Sequence, residues 1–353
     1  MLNIYAGQTA LQTIRKQGFT PDLFTTLLGA SGGPKWFVLY GLDKYLFAEF
    51  FKDRSQPLNM IGSSVGSFRA ACFAQTDPVA ATERMAKGYI ETTYRRKYVS
   101  PKEVTDSGRA MLRGMLGKDG VSAILNNPVF KAHFIAARAK GLAASENRAL
   151  QGLGLLKSSR NNRKARSSLA QQFERVIFQP ADSQLAIDDP DGFVTHHVPL
   201  STENTLDAIL ASGSLPVMMQ GIRDIQGAPT GIYRDGGIID YHFDFAIEND
   251  GLILYPHFSA ALKAGWFDKK LPRGVRAKHF DRVVLLCPSE EFIAALPYGK
   301  IPDRSDFTRL SDEERMSYWR VVTQESERLA AELARTCEHQ SFDQVRTIEE
   351  LTG

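Results

Sequence analysis

The chain has 353 residues, 43% of them hydrophobic and 24% charged, and its 43 Lys plus Arg against 40 Asp plus Glu leave a formal net charge of +3. That composition is globular rather than disordered, and the charges are too evenly balanced to imply a nucleic-acid partner. Cys72, Cys287 and Cys337 are too widely separated to suggest a disulfide framework or a metal-ligand pair, so a reducing compartment is expected and neither a metal nor a cofactor is called for. No stretch approaches the ~18 apolar residues that would span a bilayer. The first residues lack the basic region and apolar run of a secretory signal. The expected location is the cytoplasm, with peripheral contact to a membrane as an extension of that reading. One α/β domain over residues 1–353, carrying insertions, is the expected organisation.

In chain order, residues 8–18 read as a short helix. Leu23 to Leu28 is an apolar run with two threonines, a buried strand, and it enters Gly29-Ala30-Ser31-Gly32-Gly33-Pro34-Lys35. Trp36 to Phe51 then has helical spacing through Phe37, Tyr40, Leu42, Tyr45, Leu46 and Phe50. The second unit repeats the plan: a strand at Leu58–Ile61, a tight turn at Gly62–Gly66, and a helix of small residues at Ser67–Ala74. Two such units in series predict a three-layer α/β sandwich around a mostly parallel sheet. Residues 77–172 read as a mostly helical insertion broken by glycines. Within it Lys157, Arg160, Arg163, Lys164 and Arg166 form a basic run without an acid. That run reads first as a solvated loop and second as a contact for anionic lipid. Strand character returns at Arg175–Phe178, Phe193–Leu200 and Arg282–Cys287. Ser201–Ser212 reads as a capped helix, and Ser311–Cys337 as a long amphipathic helix that covers the sheet.

Three elements carry chemistry. Gly62-Ser63-Ser64-Val65-Gly66 has the G-x-S-x-G spacing of a nucleophile elbow. A serine forced onto a sharp strand-to-helix turn exposes its hydroxyl beside a helix N-terminus, which favours a developing anion. Asp235-Gly236-Gly237 offers a base at a strand end, although alone it is also a plain turn sequence. None of the seven histidines (His133, His196, His197, His242, His257, His279, His339) stands in a recognisable triad context. Ser31-Gly32-Gly33-Pro34-Lys35-Trp36 can aim backbone N–H groups at an anion, either a phosphate or an oxyanion. It lacks the spacing of a nucleotide P-loop and of a dinucleotide-binding turn.

In this order, the three elements resemble the patatin-like phospholipases, whose loop is similar to G-G-G-x-R-G. A further match is Ala208-Ile209-Leu210-Ala211-Ser212-Gly213-Ser214-Leu215-Pro216, similar to the A-x-x-A-S-x-x-x-P stretch ahead of the family's Asp-Gly-Gly. The departures are Ser31 for the loop's first glycine, Lys35 for its arginine, Trp36 for its last glycine, and Asp240-Tyr241-His242-Phe243 after the Asp-Gly-Gly turn. Lys35 keeps the charge of an arginine without its planar fork.

The resemblance implies a patatin-like fold and a serine-dependent lipid acyl hydrolase. Ser64 would be the nucleophile and Asp235 the base. Backbone N–H groups of Gly32, Gly33 and Val65 would form the oxyanion hole, and Lys35 would bind substrate or support the loop. The substrate would be a phospholipid or related acyl ester. An acyltransferase or transacylase would use the same residues with an alcohol in place of water. A non-catalytic lipid-binding protein and a phosphate-binding module built on residues 29–35 are the readings from other classes. Met111, Leu112, Met115, Leu116, Phe130 and Phe134 are expected to line an apolar path to Ser64.

Overall fold

The computed structural model describes residues 1–94, 99–340 and 342–352. Its centre is a sheet of eleven strands among the described residues. Five of them, Val283–Pro288, Leu252–Pro256, Phe24–Gly29, Leu58–Ser63 and Phe130–Ala139, lie side by side and parallel. On one side Leu2–Ala6 runs antiparallel to Val283–Pro288, and the short strand Arg346–Thr347 pairs with its outer edge in parallel. On the other side Phe173–Gln179 runs antiparallel to Phe130–Ala139, and Thr195–Pro199 follows it in parallel. Strands covered on both faces are apolar without alternation, and Val283–Pro288 and Leu252–Pro256 are buried at every position.

The sheet is the middle of three layers. Ala136 belongs to the main core and Ala137 and Ala139 to a second, smaller one. Successive residues of a strand point to opposite faces, and the consecutive residues Val283 to Cys287 all belong to the main core, which therefore packs on both sides of the sheet. Helix Val65–Phe73 is buried along its whole length. It can lie this low because glycines face it: a Cβ at Gly66 would fall 1.8 Å from the Gly29 carbonyl oxygen. Its Arg69 forms a buried two-point ion pair with Asp43, at 2.6 and 2.8 Å. The helix expected near the end of the chain is Asp312–His339, started by a capping box of Ser311 and Glu314. It presses so closely on helix Tyr40–Tyr45 that a Cβ at Gly41 would lie 2.5 Å from the Ser326 oxygen.

Two expectations need correction. The segment 77–172, expected as a mostly helical insertion, also contributes a strand to the central sheet, the ten-residue Phe130–Ala139. Its buried stretch lacks alternation, and Lys131, His133 and Arg138 interrupt its apolar character. The basic run 157–166 is not a loop: it is the last turns of helix Arg148–Lys164 and the entry to a 3-10 turn. Arg166 is buried and paired with Asp191 at 2.8 Å, while Lys157, Arg160, Arg163 and Lys164 are exposed.

Candidate active site

The site is assembled on one edge of the strand Phe130–Ala139. Leu58–Ser63 pairs with that edge in parallel, as far as Ser63 opposite Ile135. Ile232–Asp235 continues along the same edge from the other direction, antiparallel, and ends with Asp235 opposite Ala136. Two chain segments therefore meet end to end on consecutive residues of a shared strand. Ser64, one residue past its strand, donates its hydroxyl hydrogen bond to Asp235 Oδ2 at 2.7 Å.

Ser64 has φ 55° and ψ −124°, a backbone region that side chains seldom occupy. The surroundings hold it there. Its N–H donates to Ser212 Oγ at 2.9 Å, and Ser212 Oγ donates to the Ile135 carbonyl at 2.6 Å. Ser67 Oγ lies 2.8 Å from Ser212 Oγ and donates to the Gly62 carbonyl at 2.7 Å. Ser212 thus ties the elbow to the shared strand. Two residues on, the Ser214 carbonyl accepts the Asp235 N–H at 2.9 Å. The Ala208–Pro216 stretch positions both members of the pair.

Asp235 is 4% exposed and Ser64 3%. Burial pushes the Asp235 carboxyl above the ordinary carboxylate range; the charge of Arg304, the Ser64 hydroxyl and the Gly237 N–H oppose it. The second carboxylate oxygen accepts that Gly237 N–H at 2.8 Å. Both glycines after the aspartate are sterically required. A Cβ at Gly236 would lie 2.2 Å from the Ile135 oxygen, and one at Gly237 2.5 Å from Ser31 Oγ.

The glycine loop abuts this pair. Ser31 Oγ donates to Ser63 Oγ at 3.0 Å, and Ser31 N–H donates to the Tyr241 carbonyl at 3.0 Å. Gly33 has φ 57°, the left-handed conformation that glycine adopts without strain. The N–H groups of Gly32, Gly33 and Val65 donate to no protein acceptor among the described residues. Lys35 stands apart from the cleft around Ser64: its ammonium lies 5.0 Å from the centre of the Phe258 ring, and burial lowers its pKa.

The cleft is formed by Ser31, Ser64 and Asp235 with Leu215, Pro216, Ile238, Tyr241 and Trp266, and by two cations, Lys269 and Arg304. Neither cation belongs to a sequence motif, so sequence reasoning had no signal for them. No histidine borders this cleft. His242 is buried, stacked on Tyr241 and edge-on to His257. The apolar path expected from Met111, Leu112, Met115, Leu116, Phe130 and Phe134 does not reach the site. None of them borders the cleft, and Leu112, Met115, Leu116 and Phe134 are ordinary core.

With this geometry in place, comparison with known proteins is informative. The sequence matches the family described as Patatin-like phospholipase over residues 31–242, more than half of the chain. The chain belongs to the patatin-like phospholipase family. Among solved structures it is similar to VipD from Legionella pneumophila, at 13% identity over 68% of this chain and 51% of that one, with a TM-score of 0.34. It is also similar to human GIVD cytosolic phospholipase A2, at 10% identity over 94% of this chain and 63% of that one, with a TM-score of 0.39. The chain thus spans about half of the first and less than two thirds of the second. No curated protein sequence matches it.

Proposed function

We propose that the protein is a serine-dependent lipid acyl hydrolase in which Ser64 attacks an ester carbonyl and Asp235 is the base. The 2.7 Å hydrogen bond between Ser64 Oγ and Asp235, with no histidine at the cleft, carries this reading. Asp235 takes the hydroxyl proton as Oγ bonds to the carbonyl carbon. Its raised pKa makes it a stronger base than an ordinary carboxylate. The oxyanion is received by the free N–H groups of Gly32, Gly33 and Val65, each such donor contributing about 3 kcal/mol in a transition state. Collapse expels the alcohol, which takes the proton from Asp235 and leaves an acyl group on Ser64. Water, deprotonated by Asp235, releases the fatty acid and regenerates the serine.

Labelling with an alkyl fluorophosphonate tests this. Ser64 should carry the label, and Ser64→Ala should abolish both labelling and ester hydrolysis. Asp235→Asn should reduce turnover by ~10²–10⁴. Label on another residue, or turnover by Ser64→Ala, overturns the assignment.

Contact with a membrane belongs to the same proposal, and helix Arg148–Lys164 supports it. This helix is inside out. Its buried face holds Gln151, Gly154, Ser158 and Asn162 beside one leucine, Leu155. Leu150, Leu153 and Leu156 are 44%, 56% and 57% exposed. Gln151 accepts the Val217 N–H at 2.6 Å and Asn162 donates to Asp268 at 2.8 Å, so the helix is braced against both loops that border the cleft. Outward leucines flanked by exposed Lys157, Arg160, Arg163 and Lys164 fit an anionic lipid surface, each cation adding roughly 1 kcal/mol when close to it. Leu153→Glu with Leu156→Glu should abolish binding to vesicles containing anionic phospholipid, and high salt should weaken binding by the wild type. Equal binding by wild type and variant would remove the helix from the proposal.

A further inference from the structure

Arg304 and Lys269 lie outside the segment that matches the family and are absorbed by nothing derived above. Both border the Ser64 cleft, and their side chains reach solvent there. Arg304 lies on the glycine loop: a Cβ at Gly33 would be 3.0 Å from its Nε. The Lys269 ammonium sits 3.8 Å from the centre of the Tyr241 ring. Neither cation forms an ion pair with a carboxylate among the described residues. The nearby carboxylates are committed elsewhere: Asp235 to Ser64 and Gly237, Asp303 to Lys300 at 2.9 Å, and Asp268 to Arg166 at 3.5 Å. Lys35 adds a third positive charge to this neighbourhood, and His242 is neutral because burial holds its pKa well below the usual value.

Cations placed together repel one another, and Asp235, whose charge acts on both Arg304 and Lys269, offsets this only in part. Desolvation in the cleft, followed by the charges of Arg304 and Lys35, lowers Lys269 to about 7, while Asp235 opposes the fall. An anion between these side chains would relieve the repulsion and form charge-assisted hydrogen bonds with a guanidinium fork and an ammonium. A neutral group would leave the repulsion standing, and a quaternary ammonium would add to it.

We infer that Arg304 and Lys269 form a subsite for a phosphate-class anion on the alcohol side of the scissile ester, so that the preferred substrates are acyl esters of net negative charge. This inference rests on Ser64 and Asp235 being the reacting pair. The subsite is distinct from helix Arg148–Lys164, which would hold the surface of a bilayer rather than the group being cleaved.

The test uses short-chain substrates below their micelle concentration, so that no interface is involved. Dihexanoyl phosphatidic acid, dihexanoyl phosphatidylcholine and p-nitrophenyl butyrate are compared by kcat/KM. The wild type should favour the anionic ester over the choline ester by tenfold or more. Arg304→Gln with Lys269→Gln should lower that ratio at least tenfold, and Arg304→Lys should restore part of it. Inorganic phosphate should inhibit the wild type competitively and the double variant much less. A wild type without preference for the anionic ester overturns the inference. So does inhibition by phosphate without such a preference, which would mark a site for the free ion. Equal loss on all three substrates in the double variant overturns it as well. Fluorophosphonate labelling of the double variant checks that the site is assembled. Failure of the Ser64 assignment is a different result: Ser64→Ala would then hydrolyse all three esters.

Discussion

Replacing Ser212 with alanine tests whether one buried hydroxyl sets the conformation of Ser64. Ser212 Oγ accepts from the Ser64 N–H at 2.9 Å and donates to the Ile135 carbonyl at 2.6 Å, and the side chain is fully buried. The variant leaves a donor and an acceptor inside the protein where water does not replace the lost partner. Each such group costs ~1–3 kcal/mol, so a loss of about 2–4 kcal/mol is expected after partial relaxation. The strained dihedrals of Ser64, worth ~1–3 kcal/mol, lose their restraint at the same time, and the hydroxyl moves off its line to Asp235. Turnover of a short soluble ester should fall by one to two orders of magnitude, about 1.4 kcal/mol for each. Urea unfolding measures the first quantity, and kcat with the rate of fluorophosphonate labelling measures the second. A stability change below ~0.5 kcal/mol with an unchanged labelling rate would refute the reasoning, since a surface-like effect cannot arise from a buried network.

Three further outcomes follow from the packing and the charges. Gly66→Ala should prevent accumulation of folded protein, because its Cβ would lie 1.8 Å from the Gly29 oxygen and both sides are backbone; a soluble variant with wild-type unfolding would contradict the close approach. Arg166→Glu should cost ~3–5 kcal/mol by adding a buried carboxylate beside Asp191 and Asp268 and leaving them only the partly exposed Arg276 and Arg273 as cations, whereas Arg160→Glu on the exposed face should stay within ~0.5 kcal/mol; similar unfolding midpoints would reverse this distinction. Burial holds His133 at about 4 and His257 at about 3. Both are neutral in the folded protein, while the unfolded chain takes up protons below about 6.5. Stability is therefore fully present above that pH and falls as the pH drops, by ~1.4 kcal/mol per unit for each histidine. His257→Gln should reduce the slope between pH 6.5 and 5 by about one proton, and an unaltered slope would show that His257 is not held neutral.

The parts of the site legible in the sequence are those that demand rare local geometry. A serine at positive φ between glycines, and an aspartate before two glycines that abut backbone and Ser31, leave few residue choices, so Ser64 and Asp235 stand out. The role of Ser212 was not legible, although its stretch was. Its bonds run to residues 148 and 77 positions away, and nothing local signals them. Arg304 and Lys269 sit in loops whose sequence follows no pattern. The strand Phe130–Ala139 was hidden because charged and apolar residues share it irregularly, and the basic run because a helix face and a buried ion pair follow one another within a few residues.

The strand Phe130–Ala139 has a consequence for how this protein can change. Ser64 and Asp235 are 171 residues apart in sequence, yet each is placed by a neighbouring rung on the same template, Ile135 for one and Ala136 for the other. Their separation in space is fixed by pairing register, not by the length of chain that joins them. Loops between them can be lengthened, shortened or exchanged without shifting the Ser64 hydroxyl or the Asp235 carboxylate, provided the rungs are kept. A slip of one residue in the short strand that ends at Asp235 would instead turn the carboxylate to the opposite face of the sheet. Variation is therefore cheapest in the intervening loops, while a single inserted residue at 232–235 would separate Asp235 from Ser64.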